Sequence, residues 1–549
     1  MPRNMHDYET TRAAFRWAVP ERFNFATDVV DRFARDSDGP ALIWTNAQGL
    51  HETYRFSEIS MLSRRCASAL AARGIGKGDM VLVMTPRIPQ WQIAMVACLR
   101  LGAVPIPCIE MLTAKDLAYR IDHAGVKGVI CRGEHAGKFD HLLAGVTARL
   151  AIGGAPGFDD WDVALEAGDP DRPAADVMAE DPAILYYTSG STGLPKGVLH
   201  ASRALYSWRG SAEFWLDLGP GDIIWCTADV GWSKAGTSIL FGPWSMGACS
   251  FFYDGPFDPI KRLRLLSQHH VTVYCAPATE LFRVSDQDIA AYDLAALRHT
   301  VSAGETLNAA VAQKWRDRTG IPVLEAYGQT ETLMTLLNYR CTEVRDGSMG
   351  LPLPGLDLDV IDESGRPLPP DTEGDIALRA PAPQLMLGYL KDQALTDECF
   401  LDSPDGRWFV TGDRGVRDAD GYFYYRGRRD DVINSAGYRI GPTEVENALL
   451  EHPAVLECAV IGKPDRERGE IVKAFVVTRA VVADPAVLAR DIQDHVKKVT
   501  APYKYPREVE FISELPKTLT GKIQRKSLRD MERARLTEPE SRSNDASAV

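Results

Sequence analysis

The stretch from Asp79 to Arg132 constrains the fold more than any other part of the chain. "DMVLVM" (Asp79 to Met84) is a short, nearly all-apolar run. "WQIAMVACLRLGA" (Trp91 to Ala103) and "AKDLAYRIDHAG" (Ala114 to Gly125) carry apolar residues at helical spacing, and "KGVICR" (Lys127 to Arg132) reads as the next strand. A strand without polar alternation must be covered on both faces, and helices between such strands supply the cover. The pattern predicts an α/β architecture around mainly parallel, covered sheets. "DIIWCTADVGW" and "VTVYCAPATELF" continue it.

A chain of 549 residues is too long for one compact core, so two or more domains are expected. From Gly347 the texture changes to Gly, Pro and acidic turns between short strands, which predicts a β-barrel-like subdomain. A second change falls at "YRGRRDDVINSAGYRIGP" (Tyr425 to Pro442). Beyond it, "PTEVENALLEHPAV" and "VLARDIQDHVKKV" read as helices, and "LECAVIG" and "EIVKAFVVT" as strands, giving a small α+β unit. We place the junction at Asp430, with an N-terminal domain over 1–429, a C-terminal domain over 430–531 and a polar tail over 532–549 expected to lack fixed structure.

A net charge of −13 argues against nucleic acid as the main partner. The ten cysteines are scattered with no C-x-x-C pair. That fits reduced thiols in a cytoplasmic protein rather than a disulfide framework or zinc site. No apolar run approaches a membrane span, and "MPRNMHDYETTRAAFRW" lacks the apolar core of a secretory signal.

Against this background "YYTSGSTGLPKGVLH" (Tyr186 to His200) stands out. Gly190, Gly193 and Gly197 allow tight turns and close approach of backbone N–H groups to an anion. Thr188, Ser189, Ser191 and Thr192 add hydroxyl donors, and Lys196 adds a positive charge. "AILYY" before the loop reads as a strand and "ASRALYSWRGSAEFW" after it as a helix, a geometry suited to phosphates; a flexible polar linker is the bland alternative. The loop is no Walker A motif, because Pro195 precedes Lys196 and Gly197 follows it. It holds no Gly-x-Gly-x-x-Gly fingerprint either.

The stretch Thr188 to Gly197 resembles the signature loop of the adenylate-forming superfamily, which holds acyl-CoA synthetases, carrier-protein adenylation domains and luciferases. Further matches follow in the family's order: "SAGETL" (Ser302 to Leu307), "EAYGQTET" (Glu325 to Thr332), "TGDRG" (Thr411 to Gly415), the Tyr425 to Pro442 segment and "PKTLTGKIQR" (Pro516 to Arg525). "NSAGYRIGPTEVENALLEHPAV" and "VTAPYKYPR" look most like the medium-chain acyl-CoA synthetase branch.

The resemblance implies a two-step ligase using ATP, magnesium and coenzyme A. A carboxylate attacks the α-phosphate of ATP, and a thiol then attacks the acyl carbon of the acyl-adenylate. It assigns the catalytic lysine to Lys522, a magnesium ligand to Glu331, a phosphate contact to Thr330, and phosphate or carboxylate pairing to Arg439. Adenine and phosphate contacts fall to Gly304, Glu305 and Thr306, and to Glu325, Ala326, Tyr327, Gly328 and Gln329. Asp413 and Arg428 would hold the ribose, Asp413 by accepting from both hydroxyls. Asp430 would be the hinge of a rotating C-terminal domain, and Ala436, Gly437, Tyr438, Arg468, Tyr505 and Arg507 would face coenzyme A. Trp232, Trp244, Gly328 and Leu333 would line the acyl pocket. Gly328 leaves room where acetyl-CoA synthetases carry tryptophan, and Leu333 stands where the family usually has glycine. The expected acid is short-to-medium-chain or aryl. A carrier-protein acyl acceptor, a non-catalytic nucleotide- or acyl-binding role, and homo-oligomer formation stay open.

Overall fold

The computed structural model describes residues 3–188, 194–304, 307, 309–428, 431, 433–435, 438–465, 468–500, 504–518 and 523–537, without the side chains of Asn434, Tyr438, Arg439, Leu536 and Thr537. The apolar runs of the sequence become strands inside two covered sheets. Met80–Met84 is central in the smaller one, flanked by Val104–Cys108 and Gly128–Arg132, with Ala148–Ile152 beyond, all parallel. The helices Pro89–Arg100 and Ala114–Ala124 are the two amphipathic segments expected between these strands. Thr113 caps the second by accepting from the Asp116 N–H, and Gly125 ends it at φ +64.

Among the described residues the larger sheet has fourteen strands. From Pro40–Asn46 through Cys249–Asp254, Ile223–Cys226, Val273–Cys275 and His299–Ala303 to Val323–Gln329 the pairing is parallel. At Leu333–Leu337 it turns antiparallel and stays so through Ser348–Pro352, Phe423–Arg428, Gly406–Arg417 and Gly374–Ala380. The Gly- and Pro-rich stretch after Gly347 is thus an antiparallel extension joined to the main sheet through Ser348–Pro352. Val323–Gln329 stands where the two halves meet. Its side chains therefore reach both the carboxyl ends of the parallel strands, where open α/β sheets bind ligands, and the antiparallel extension.

From Ile433 the chain builds cores of its own. Val455–Asp465 and Gly469–Thr478 pair antiparallel, with Glu508–Phe511 parallel to the second. Pro442–Leu450 and Pro485–Val499 cover them with Val445, Leu449, Ile492 and Val496. The tail begins later than its composition suggests, because the helix Arg525–Thr537 runs through Met531. The helix's Arg, Lys, Leu, Met, Glu and Ala residues favour helix, and tertiary contacts anchor it: Leu528 is fully buried, Glu532 pairs with Lys473 at 2.7 Å, and Arg535 pairs with Glu510. All ten cysteines are free thiols. Among the described residues no helix is long and apolar enough to cross a membrane.

Candidate active site

Of the expected site residues, Ser189, Gly190, Ser191, Thr192, Gly193, Glu305, Thr306, Asp430, Ala436, Gly437 and Lys522 lie outside the described residues, as do the side chains of Tyr438 and Arg439. The two ends of the glycine-rich loop are described. Pro182–Thr188 and Lys196–Ala201 pair antiparallel, with Thr188 opposite Lys196. Lys196–Ala201 is therefore a strand, which was not expected, and the helix expected from Ala201 follows it at Ser202–Phe214. Burial explains the strand: Gly197, Val198, His200 and Ala201 are buried in the hairpin. A Cβ on Gly197 would come within 3.2 Å of Leu185 and 3.3 Å of Leu390.

The short strand Gly388–Tyr389 adds to the same hairpin, opposite Leu199 and Val198. It brings the Tyr389 ring 5.3 Å from the Lys196 Nζ. The Tyr389 hydroxyl donates to Glu331 Oε1 at 2.8 Å. Lys196 and Glu331, 135 positions apart by their numbers, thus share one tyrosine. Thr330 lies beside them, its hydroxyl 3.2 Å from that of Ser233. A carboxylate with neighbouring hydroxyls is an all-oxygen donor set, which fits a hard cation such as magnesium.

Two residues earlier the segment addresses another group. Tyr327 Oη donates to Asp413 Oδ2 at 2.5 Å and Gln329 Nε2 to the same oxygen at 2.6 Å. Arg428 Nη1 donates to Oδ1 at 3.2 Å. Burial pushes the Asp413 carboxyl up, and the Arg428 charge and the Tyr327 and Gln329 bonds oppose that shift. A carboxylate has about four lone-pair sites. Three are taken here, so Asp413 offers one acceptor on Oδ1 rather than the two expected for both ribose hydroxyls. A second opens only if Arg428, the longest of the three contacts and on a half-exposed side chain, moves aside.

Glu325 ties the remaining nucleotide segments together. Its Oε1 accepts from the Leu307 N–H at 2.9 Å, and its backbone carbonyl accepts from the Asn338 N–H at 3.0 Å. Burial raises the carboxyl to about 7, the Leu307 bond opposing and Asp346 adding to the shift. Gly304 ends the strand His299–Ala303 at φ +96, a conformation glycine accepts freely. Ala326 sits in register with Ala303.

The pocket expectations need correction at two points. A Cβ on Gly328 would fall 2.0 Å from the Leu333 carbonyl oxygen and 2.7 Å from its carbon. Close backbone approach at the bulge between Tyr327 and Gly328 thus leaves no room for a side chain at this position. Leu333 is buried and holds φ +55, a conformation glycine takes freely and leucine only with strain, so its departure from glycine is strained as well as filling space. Trp244 is a core residue: fully buried, it donates to the Ala41 carbonyl at 2.9 Å and packs on Phe56. Trp232 is half-buried at the N-terminus of Ser233–Ser238, beside Ser233 and Lys234, and the Lys234 Nζ donates to the Ala303 carbonyl at 2.7 Å.

In the C-terminal part, Arg468 sits at the turn before Gly469, which pairs with Ser435 next to the expected coenzyme A segment. Arg507 Nη1 donates to the Tyr505 hydroxyl at 3.2 Å, so two of the expected side chains meet, and the Lys497 Nζ, not among those expected, lies 4.4 Å from the Tyr505 ring. Sequence reasoning missed Tyr389 and His200. The only signal for either was position: a tyrosine after glycine in "MLGYL", and a histidine inside the apolar run "GVLHA".

The chain matches known proteins over most of its length. The AMP-binding enzyme family matches residues 29–390, and the AMP-binding enzyme C-terminal domain family matches residues 444–522. The chain is 40% identical over 548 residues to the mitochondrial acyl-coenzyme A synthetase ACSM3 of Mus musculus, covering 97% of this chain and 94% of that one. It is 39% identical over 540 residues to mitochondrial ACSM5 of Homo sapiens, with 94% and 92% covered. Among solved structures, the anthranilate CoA ligase AuaEII in complex with anthranoyl-AMP superposes with a TM-score of 0.84 at 28% identity, covering 94% and 99%. A benzoate CoA ligase from Burkholderia xenovorans gives 0.81 at 28% identity, covering 92% and 100%.

Proposed function

This chain belongs to the AMP-binding enzyme family, and from that premise we propose that it is an ATP-dependent, AMP-forming acid–coenzyme A ligase acting on a short-to-medium-chain or aryl carboxylic acid. The observation that carries the reading is the segment Tyr327 to Glu331. Tyr327 and Gln329 hold the buried Asp413 carboxylate, and Glu331 reaches the Tyr389–Lys196 pair. A ribose site and a phosphate site thus stand on one rigid strand end.

In the first half-reaction the acid's carboxylate oxygen attacks the α-phosphorus and pyrophosphate leaves. Charge builds on the phosphate oxygens, and fixed cations and donors aimed there lower the barrier. Lys196 and the Thr330 hydroxyl supply these from the large domain, and Lys522 and Arg439 are proposed to add theirs. Magnesium, held at Glu331, would neutralise the phosphate charge when bound. Asp413 and Arg428 hold the ribose. In the second half-reaction the coenzyme A thiol attacks the acyl carbon and AMP departs. Rotation about Asp430 would exchange Lys522 for the segment Ala436, Gly437 and Tyr438, with Arg468, Tyr505 and Arg507 meeting coenzyme A phosphates.

The aryl or short-to-medium acid is supported by the resemblance and by the anthranilate and benzoate ligases among the structural neighbours. The free thiols fit a reducing compartment, whether the cytoplasm or the mitochondrial interior; the named relatives are mitochondrial, and fractionation decides. The test of function is acid-dependent pyrophosphate release without coenzyme A, across a panel of acids. Lys522→Ala is expected to lose adenylate formation yet still consume supplied acyl-adenylate with coenzyme A. Equal loss in both halves refutes the role of Lys522. Acyl transfer to a carrier protein in preference to coenzyme A would favour the carrier-loading alternative.

A further inference from the structure

The loop that follows Val323–Gln329 is suspended by its backbone. Three successive carbonyls are each held by a different donor. The Glu331 carbonyl accepts from the Met386 N–H at 2.9 Å, and the Thr332 carbonyl from Gln384 Nε2 at 2.6 Å. The Thr330 carbonyl lies 2.7 Å from His200 Nε2. Two of these donors come from the segment just before Tyr389. His200 alone comes from the strand that begins with Lys196.

The chemistry fixes the tautomer. A carbonyl only accepts, so Nε2 carries the proton and Nδ1 is a bare acceptor. Nδ1 has no hydrogen-bond partner among the described residues, and the ring is fully buried. Burial holds the imidazole down at about 4, the Thr330 bond opposing and Arg203 adding to the shift. The ring therefore stays neutral in the working range and cannot shuttle protons there. What it can do is fix distance. It ties Thr330, and Glu331 beyond it, to the hairpin carrying Lys196, while the Thr330 hydroxyl stays free to face Ser233.

We propose that His200 is a positioning residue for adenylation, setting the separation between Lys196 and the Thr330–Glu331 loop through its Nε2–H···O=C bond to Thr330. The inference rests on the reading of that loop as the phosphate site. A buried donor of this kind is costly to leave out, because the stranded carbonyl seeks another partner and the loop shifts. A shift of the order of an ångström in a phosphate-holding group is enough to slow chemistry markedly.

The experiment compares wild type, His200→Leu and His200→Gln. Each half-reaction is measured separately: acid-dependent pyrophosphate release, and consumption of supplied acyl-adenylate with coenzyme A. Leucine fills volume without a donor; glutamine returns an N–H at similar reach. The expected result is an adenylation kcat/KM for ATP reduced about 10–100-fold in H200L. Thiolation should stay within about threefold of wild type, and H200Q should recover most of the adenylation loss. If H200L does not fold, His200→Met takes its place, since its flexible side chain fills irregular core space. Equal losses in both half-reactions, or loss in H200L unrescued by glutamine, overturn the proposal. Should wild type form no adenylate with any acid, the functional reading fails instead, which separates the two failures.

Discussion

Asp413→Asn offers the sharpest test of the ribose site. The amide oxygen can take over the Oδ2 position and keep both Tyr327, at 2.5 Å, and Gln329, at 2.6 Å. The amide nitrogen then faces Arg428 and the one remaining acceptor direction, as a donor where an acceptor stood. A hydrogen bond to a charged group contributes about 1.5–3 kcal/mol, so losing the one to the ribose should cost about 10–150-fold in kcat/KM for ATP. Stability should hardly change, because Arg428 is half exposed and its pairing there adds about 1 kcal/mol or less. The assay pairs ATP with 2′-deoxy-ATP and 3′-deoxy-ATP in pyrophosphate release. Wild type should discriminate against at least one deoxynucleotide, and D413N should lose most of that discrimination while melting within a few degrees of wild type. A variant that is slower but still discriminates as wild type does would refute the assignment of Asp413 to the ribose.

Glu325→Gln keeps an acceptor for the Leu307 N–H while removing a buried charge. Glu325 binds its proton more tightly in the folded state, with the carboxyl raised from 4.5 to about 7. That contribution to stability is present below about 4.5 and lost as pH rises through about 7. E325Q should therefore melt like wild type at and below about pH 4.5, gain progressively on it between about 4.5 and 7, and keep a level advantage above that; a constant gap across pH would contradict the burial argument. Gly328→Ala places a Cβ 2.0 Å from the Leu333 carbonyl oxygen, a backbone atom that cannot yield cheaply. Overpacking of this kind costs about 1–3 kcal/mol or more. Calorimetry should show a clear fall in melting temperature together with lost adenylation, and an unaltered melt with a merely narrowed acid range would restore Gly328 as a pocket residue.

The parallel cores were legible because burial on both faces leaves an unmistakable apolar run, as in Met80–Met84 and Gly128–Arg132. The strand Lys196–Ala201 was not, since its lysine, two of its neighbours and its histidine read as loop until Tyr389 and Leu390 are seen packed on it. Asp413, Thr330 and Glu331 were found through motif resemblance, yet the number of acceptors left on Asp413 depends on Tyr327, Gln329 and Arg428 meeting in space. Gly328 shows the converse. A missing side chain reads as open space in a sequence, and only the path of the Leu333 backbone shows that no Cβ fits at Gly328. The helix at Arg525–Thr537 was masked by its charge: its Arg, Lys, Leu, Met, Glu and Ala residues favour helix, yet so polar a run reads as tail until Lys473 and Glu510 are seen pairing with Glu532 and Arg535.

The central claim is that a carboxyl oxygen of the substrate ends up on phosphorus. Supplying a carboxylic acid labelled with ¹⁸O in both carboxyl oxygens, together with ATP, magnesium and coenzyme A, tests it directly by mass spectrometry of the nucleotide. One labelled oxygen per turnover should appear in AMP, alongside unlabelled pyrophosphate and acyl-CoA that retains the other. Unlabelled AMP, or formation of ADP with label in inorganic phosphate, would contradict the account.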